Sequence, residues 1–403
     1  MSALTEGERR IEWAGGQMPV LRQVGERLAA EQPLAGLHVG ACLHVTPETA
    51  NLVRALRAGG ATVALCASNP LSTQDDVAEA LAGKGVEVFA KGGEEGYVGN
   101  VVAVIGTEPV LTLDDGADLL TAMHAKGLPD GFVGATEETT IGLVRVRALE
   151  QEGRLGCAVL AVNEARTERT FNDRYGTGQS ALDGILRATN LLLAGKTIVV
   201  LGYGTTGQGI ALRARGAGAN VVVCEVDPLR ALEARMDGYE VMPALKAAER
   251  GDVFICVTGG RDVLRKDHFK RMKDGALLAN AGHFDVEIDL EALRAAAAGV
   301  EQVLPLVESY DLGDRRVNLL ARGRVVNLAA AEGHPAEVMD ISFALQALSA
   351  VWMATQKEPL PATVLPVPGE IDREVAKLKL DALGVKIDSL SAAQRKYLTS
   401  WRG

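Results

Sequence analysis

Cysteine and histidine are both scarce in this chain of 403 residues. The five cysteines, Cys42, Cys66, Cys157, Cys224 and Cys256, are scattered, odd in number and without a CxxC pair. That excludes a disulfide framework and points to free buried thiols in a reducing compartment. The six histidines show no metal-ligand spacing, so no metal is expected. A surplus of positive charge is also missing. The formal net charge is −10, which argues against a nucleic-acid partner. There is no amino-terminal signal pattern and no apolar run long enough to span a bilayer, so the expectation is a cytoplasmic protein with no membrane partner. What is present is ample apolar material, 47% of the residues, and a length that suits two domains.

The most informative stretch is Thr197-Ile-Val-Val-Leu-Gly-Tyr-Gly-Thr-Thr-Gly-Gln-Gly209, followed by Asn220-Val-Val-Val-Cys-Glu225. An apolar β-branched strand runs into Gly202-x-Gly204-x-x-Gly207, a helix follows, and a second strand ends on a carboxylate. This is the layout of a dinucleotide site. Gly202 allows the tight turn, Gly204 lets backbone approach a pyrophosphate, and Gly207 lets helix pack on strand. The unpaired N–H groups of the helix terminus then face the phosphates. Glu225 is placed to accept from both ribose hydroxyls and would repel a 2′-phosphate, so NAD is favoured over NADP.

Two series of alternating strand and helix signals surround this fingerprint. The first has apolar runs at 38–43, 62–67, 86–90, 101–105, 110–113, 132–134 and 158–162, with helical patterns such as 48–58 and 75–82 between them. The second runs from Thr197 through 221–224, 253–257, 276–279 and 324–328. Such alternation means α/β architecture: two doubly wound parallel-sheet, Rossmann-like domains. The expected division is a substrate domain at 1–178 plus 336–366 and an NAD domain at 179–335. A tail at 367–403 is read as an oligomer or cofactor contact. The double crossing makes a hinge, and the cleft it spans is the default site.

Polar clusters interrupt the apolar runs at strand ends. They are Cys42-Leu-His-Val-Thr-Pro-Glu48, Asn69-Pro-Leu-Ser-Thr-Gln-Asp75, Asp114-Asp-Gly-Ala-Asp118, Glu137-Glu-Thr-Thr140, Tyr175-Gly-Thr-Gly-Gln-Ser180, Asn280-Ala-Gly-His-Phe-Asp-Val-Glu287 and Asn327-Leu-Ala-Ala-Ala-Glu-Gly-His-Pro335. In order and over nearly the whole length, they make the chain resemble S-adenosylhomocysteine hydrolases, in particular that family's shorter microbial branch. The resemblance implies a redox-assisted elimination on an adenine nucleoside, with tightly held NAD recycled in each turnover, and a homotetramer. A carbanion beside an alcohol is far too basic, whereas one beside a carbonyl is an enolate. It also implies roles for single residues. Thr46 and Glu48 resemble adenine contacts with His334 closing over the base, and Met339 and Phe343 join the substrate set. His44, Asp115 and His283 resemble the acid/base group around C4′ and the 5′ position, and Glu138 a ribose-hydroxyl ligand. The implied cofactor set is Thr139, Thr140, Asp173, Gly202, Gly204, Thr205, Thr206, Gly207, Glu225, Arg230, Thr258, Gly259, Asn280, Gly282, His283 and Asn327. Asp75, Asp114 and Asp118 read instead as turn or cap residues, Glu137 and Glu138 have a helix-capping alternative, and His38, His124 and His268 have no partner motif.

The likeness breaks at one place. Where the family pattern reads T-K-x-x-F-D-N, this chain reads Thr167-Glu-Arg-Thr-Phe-Asn-Asp173. Glu168 stands in the lysine's place and Asn172 in the aspartate's. If the segment is helical, Asp173 is turned about 100° away and does not substitute. A neutral lysine with aspartate and an ionised Glu168 with Asn172 both carry one negative charge. Glu168 is therefore expected to serve as base, with the Asn172 amide holding a hydroxyl. Ile141 replaces the third threonine of the usual run, Thr177 sits where many relatives have cysteine, and 92–100 is short and lacks the family tryptophan. The tail lacks the lysine-and-tyrosine extension that longer relatives lend to a neighbour's NAD. Three readings follow: a divergent nucleoside dehydratase of specialised, nucleoside-antibiotic metabolism, an ordinary S-adenosylhomocysteine hydrolase, and a silent NAD-binding paralogue. The first accounts best for altered ribose-facing groups beside retained adenine, C4′ and NAD positions.

Overall fold

Short apolar runs delimited by glycine and polar turns become strands here, and the amphipathic runs between them cover both faces of two sheets. The computed structural model describes residues 4–401 apart from 70, 71, 94, 95, 283 and 284. The first sheet has seven strands, in the order Val364–Pro366, Val159–Ala161, Gly134–Glu137, Leu111–Asp114, His38–Leu43, Thr62–Ala67, Glu87–Phe89, and every pairing is parallel. The second has eight. Its five-stranded parallel part is centred on Thr197–Leu201, and Arg316–Leu320 joins it in parallel before an antiparallel edge formed by Val307–Asp311 and Gly299–Leu304.

The helix Ala336–Ala354 returns to the first sheet, burying Ile341, Phe343, Leu345 and Leu348 in the same core as Leu43, Leu65 and Leu113. The helix Gly369–Ala382 belongs to that core as well, through Ile371 and Val375. The tail therefore does not stand apart from residue 367. An apolar stripe with four-residue spacing continues past the boundary drawn from sequence. The helix Gly178–Thr189 packs Ala181, Leu182 and Ile185 into the second core, under the dinucleotide strands.

Two expected strands are not strands. The run 101–105 lies inside the helix Tyr97–Gly106, whose Val101 and Val104, one helical turn apart, bury against Cys42 and Cys66. The run 324–328 is a turn and the short helix Val326–Ala329, with an isolated bridge between Val325 and Asn280 and Val326 packed into the second core. Its expected place is taken by Arg316–Leu320, whose polar alternation suits a half-solvated antiparallel hairpin. The five cysteines are free and buried. No helix among the described residues is long and apolar enough to cross a membrane, and no described group of side chains forms a metal cluster.

Candidate active site

Neighbouring parallel strands each deliver a polar residue just beyond their carboxyl ends, where open α/β sheets bind ligands. His44 follows His38–Leu43, Ser68 follows Thr62–Ala67, Asp115 follows Leu111–Asp114, and Glu138 follows Gly134–Glu137. The structure brings the first three together. His44 Nε2 lies 3.0 Å from Asp115 Oδ2, and His44 Nδ1 lies 2.6 Å from Ser72 Oγ and 3.3 Å from Ser68 Oγ. His334 joins from the second half of the chain, its Nε2 3.0 Å from Thr177 Oγ1. Burial, and then the neighbouring His44, push the His334 pKa down to about 4, so it is neutral.

Carboxyl groups crowd the next layer. Glu137 Oε1 accepts from the Gly116 amide at 3.0 Å, the Thr139 amide at 2.8 Å and the Thr139 hydroxyl at 2.7 Å. It thus ties the loop that carries Asp115 to the loop that carries Glu138. Thr139, not either glutamate, is the side-chain cap of the helix Thr140–Gln151. Glu138 accepts from the Gln346 amide at 2.7 Å, and burial followed by the Asp115 charge raises its pKa well above the usual range. Burial likewise raises Asp114 to about 7. Asp114 is wholly buried and accepts from the Leu120 amide at 2.8 Å, as its reading as a cap suggests.

Glu168 is fully buried and opens a π-helix, Glu168–Thr177. Such helices are rare and concentrate at functional sites. Asn172 Nδ2 donates to Glu168 Oε1 and, at 3.2 Å, to Ser342 Oγ, while Glu168 Oε2 and Asn172 Oδ1 have no partner. Burial raises Glu168 to about 8 and Asp173 to about 6. In this π-helix the hydrogen bond to Glu168 comes from Asn172, and Asp173, one position further on, acts on Glu168 through its charge. Accordingly, Asp173 is among the charges that push Glu168 up. The start of this helix is held by Asp372, which accepts from the Arg166 and Thr167 amides at 3.0 Å and from the Thr167 hydroxyl. Its body lies against the helix Thr205–Gly216, and a Cβ on Gly209 would run into the Arg174 carbonyl.

A cavity of about 300 Å³ opens between the two halves, walled by Arg10, Thr46, Ser72, Gln74, Leu328 and Glu332 among others. Thr46 caps the helix Pro47–Ala58, and burial raises the pKa of neighbouring Glu48. Thr73 Oγ1 and Gln74 Oε1 are buried there without partners, polar atoms that sequence reasoning passed over. Met339 is half-buried at the first core, and Phe343 lies within that core at 2% exposure. His283 lies outside the described residues.

The second half fits a dinucleotide. Gly202 has φ 106°, reachable without strain only by glycine, and a Cβ on Gly207 would strike the Gly202 carbonyl. The helix Thr205–Gly216 has no side-chain cap, so the amides of its first turn are free for phosphate. Glu225 is pushed up by burial but held below the usual range by the Tyr203, Val226 and Asp227 amides, with Arg230 adding to the effect. Glu287, unassigned by sequence reasoning, is 1% exposed and accepts from Thr258 at 2.9 and 2.7 Å and from the Gly259 amide at 2.9 Å. Asn280 donates to the Gly323 carbonyl at 3.0 Å and accepts from the Gly282 amide at 2.9 Å. Asn327 Oδ1 is buried and unpartnered. Thr140 Oγ1 donates to Asn163 at 2.9 Å.

Residues 173–333 match the S-adenosyl-L-homocysteine hydrolase NAD binding domain, and residues 1–130 match the S-adenosyl-L-homocysteine hydrolase family itself. The chain belongs to the S-adenosylhomocysteine hydrolase family. Its cofactor is NAD, and it is an NAD-dependent enzyme of that family. An adenosylhomocysteinase of Aquifex aeolicus is 56% identical over 100% of this chain and 97% of that protein. An S-inosyl-L-homocysteine hydrolase of Methanocaldococcus jannaschii is 52% identical over 98% of this chain and 97% of that protein. Among solved structures, a dipicolinate synthase from Bacillus halodurans shares the fold, at TM-score 0.54 and 13% identity, over 79% of this chain and 99% of its own. Residues 131–172, between the two family matches, include Glu138, Glu168 and Asn172.

Proposed function

We propose that this enzyme oxidises a sugar hydroxyl of an adenine nucleoside, removes the neighbouring C4′ proton and eliminates water, ending as a nucleoside dehydratase of specialised metabolism. The observation that carries this reading is Glu168, a carboxyl at 0% exposure with a pKa near 8, held against Asn172 and Ser342 beside Glu138. A buried acid of that strength, once ionised, is a far better base for a hydroxyl proton than a surface carboxylate. NAD, when bound, would supply the oxidising power at the sugar carbon and regain it when the ketone is reduced at the end. Every proton movement falls to the protein. Glu168 takes the hydroxyl proton, and Asn172, with an amide donor and an unpartnered carbonyl, orients the hydroxyl. His44 and Asp115, with His283 as the third predicted member, handle C4′ and the 5′ oxygen. Glu48 accepts from an exocyclic amine of the base, which distinguishes adenine from hypoxanthine, the alternative that the Methanocaldococcus relative's name raises.

The second reading is S-adenosylhomocysteine hydrolysis, favoured by the full-length likeness to the Aquifex adenosylhomocysteinase. One experiment separates the two. The NAD-loaded protein is incubated with adenine nucleosides bearing a 5′-hydroxyl and, separately, with S-adenosylhomocysteine. A product lighter by one water supports the dehydratase, and homocysteine release supports the hydrolase. Absence of NADH absorbance with every nucleoside refutes both.

A further inference from the structure

Ser72 and Ser68 have no role in what has been described so far, yet they determine where protons sit on His44. A serine hydroxyl has one proton to give. Ser72 gives its proton to the Asn69 carbonyl at 2.9 Å, and Ser68 gives its proton to Asp115 Oδ2 at 3.3 Å. With both protons so spent, the two oxygens accept from His44 Nδ1, at 2.6 and 3.3 Å, and the hydrogen sits on Nδ1 rather than on the serines. The other ring nitrogen faces Asp115 Oδ2 at 3.0 Å, a contact that also needs a proton between nitrogen and oxygen. In that arrangement the ring and the carboxyl together hold one proton more than a neutral histidine beside a carboxylate would.

We infer that Ser72, assisted by Ser68, is a positioning residue that keeps Nδ1 of His44 protonated, so that the His44–Asp115 pair rests with one transferable proton reserved for the group leaving C5′. This rests on the elimination reading. After loss of the C4′ proton, the electron pair of the enolate forms the C4′=C5′ bond and restores the carbonyl. The C5′–O5′ bond breaks with its pair on oxygen, and the reserved proton converts the departing hydroxide to water. The C4′ proton goes to the third proposed member of the acid/base group, His283, so one proton is taken up for the one the pair releases. Hydroxide is a poor leaving group, so this acid matters most when water leaves and little when a halide leaves. Nearby His334 is neutral, so it does not compete as the acid.

The test uses the full-length, NAD-loaded protein with a 5′-hydroxyl nucleoside and its 5′-chloro analogue. Losing a hydrogen bond to a charged group, Ser72→Ala should slow water elimination by about tenfold or more. It should slow chloride elimination by much less, and Ser72→Thr, which keeps the hydroxyl, should restore the rate. Ser68→Ala should show the same leaving-group bias more weakly. An equal loss for both leaving groups would mean a merely structural serine and would overturn the proposal. A neutron structure of the resting protein decides it without turnover. Deuterium on His44 Nδ1, with a second shared between Nε2 and Asp115, is expected, and a bare Nδ1 overturns it. If no nucleoside is oxidised, the proposed function fails, while the neutron result still rules on the proton.

Discussion

Replacing Glu168 by glutamine should abolish catalysis and stabilise the protein, and the stabilisation should grow with pH. The carboxyl is wholly buried, and its pKa moves from 4.5 to about 8, chiefly by burial. Below pH 4.5 both folded and unfolded chains hold the proton, so nothing is lost. Between 4.5 and 8 only the folded chain holds it, and stability falls as pH rises until the folded group also ionises. With one pKa unit worth about 1.4 kcal/mol, the cost at pH 7 is about 3 kcal/mol, rising from about 1 at pH 5 to about 4 at pH 8. Glutamine keeps the acceptor for Asn172 and offers an amide donor that can meet the unpartnered Asn172 Oδ1.

The assay is the urea midpoint of NAD-saturated wild type and Glu168→Gln across pH 5 to 8.5, with equal NAD excess because the ligand itself stabilises. NADH formation on nucleoside addition is measured in parallel. In the wild type that rate should rise with pH through about 8, since the base must be ionised. A midpoint difference independent of pH would show that Glu168 is ionised in the folded protein. Undiminished NADH formation in the variant would remove it from catalysis.

Asp372→Ala takes the acceptor from the Arg166 and Thr167 amides, at a cost of about 1–3 kcal/mol. The turnover number should fall more than NAD affinity, as stopped-flow and calorimetry would show. Gly209→Ala drives a methyl into the Arg174 carbonyl and should cost about 1–3 kcal/mol or more, read as a lower melting temperature. Glu287→Ala frees the Thr258 and Gly259 amides and should weaken NAD binding by about tenfold or more in equilibrium dialysis, with the affinity for nucleoside nearly unchanged.

The NAD half was legible because its logic is local. Gly202, Gly204, Gly207 and Glu225 announce themselves within one strand–helix–strand unit, and the α/β alternation fixes the rest. The residues that escaped act on backbone amides across long stretches of chain. Glu287 reaches back to Thr258, Asp372 to Thr167, and Glu137 to Gly116; the first and last lie in polar clusters visible in the sequence, but those clusters do not tell which distant amides they hold. The π-helix was invisible for another reason. Glu168–Thr177 has a composition compatible with an α-helix, and the close approach of Arg174 to Gly209 on the neighbouring helix depends on residues far away in the chain. The apolar run 101–105 misled because a short buried run does not distinguish strand from helix.

The charge count made from sequence changes once burial is included. A neutral lysine beside an aspartate carries minus one at rest. Glu168 with Asn172 reaches the same charge only after losing a proton, because a pKa near 8 keeps the acid neutral at pH 7. Asp114, Glu137, Glu138 and Asp173 are raised by burial as well, and none of the ion pairs among the described residues involves them. A site that held all these groups ionised would repel itself apart, so several must rest protonated. If Glu168 is the base, as proposed, oxidation at the sugar requires a deprotonation first, and any positive charge entering the site favours it by lowering the pKa values around it. On the proposed mechanism the surrounding carboxyls are thus part of the catalytic balance: they set how readily Glu168 would give up the proton and become a base.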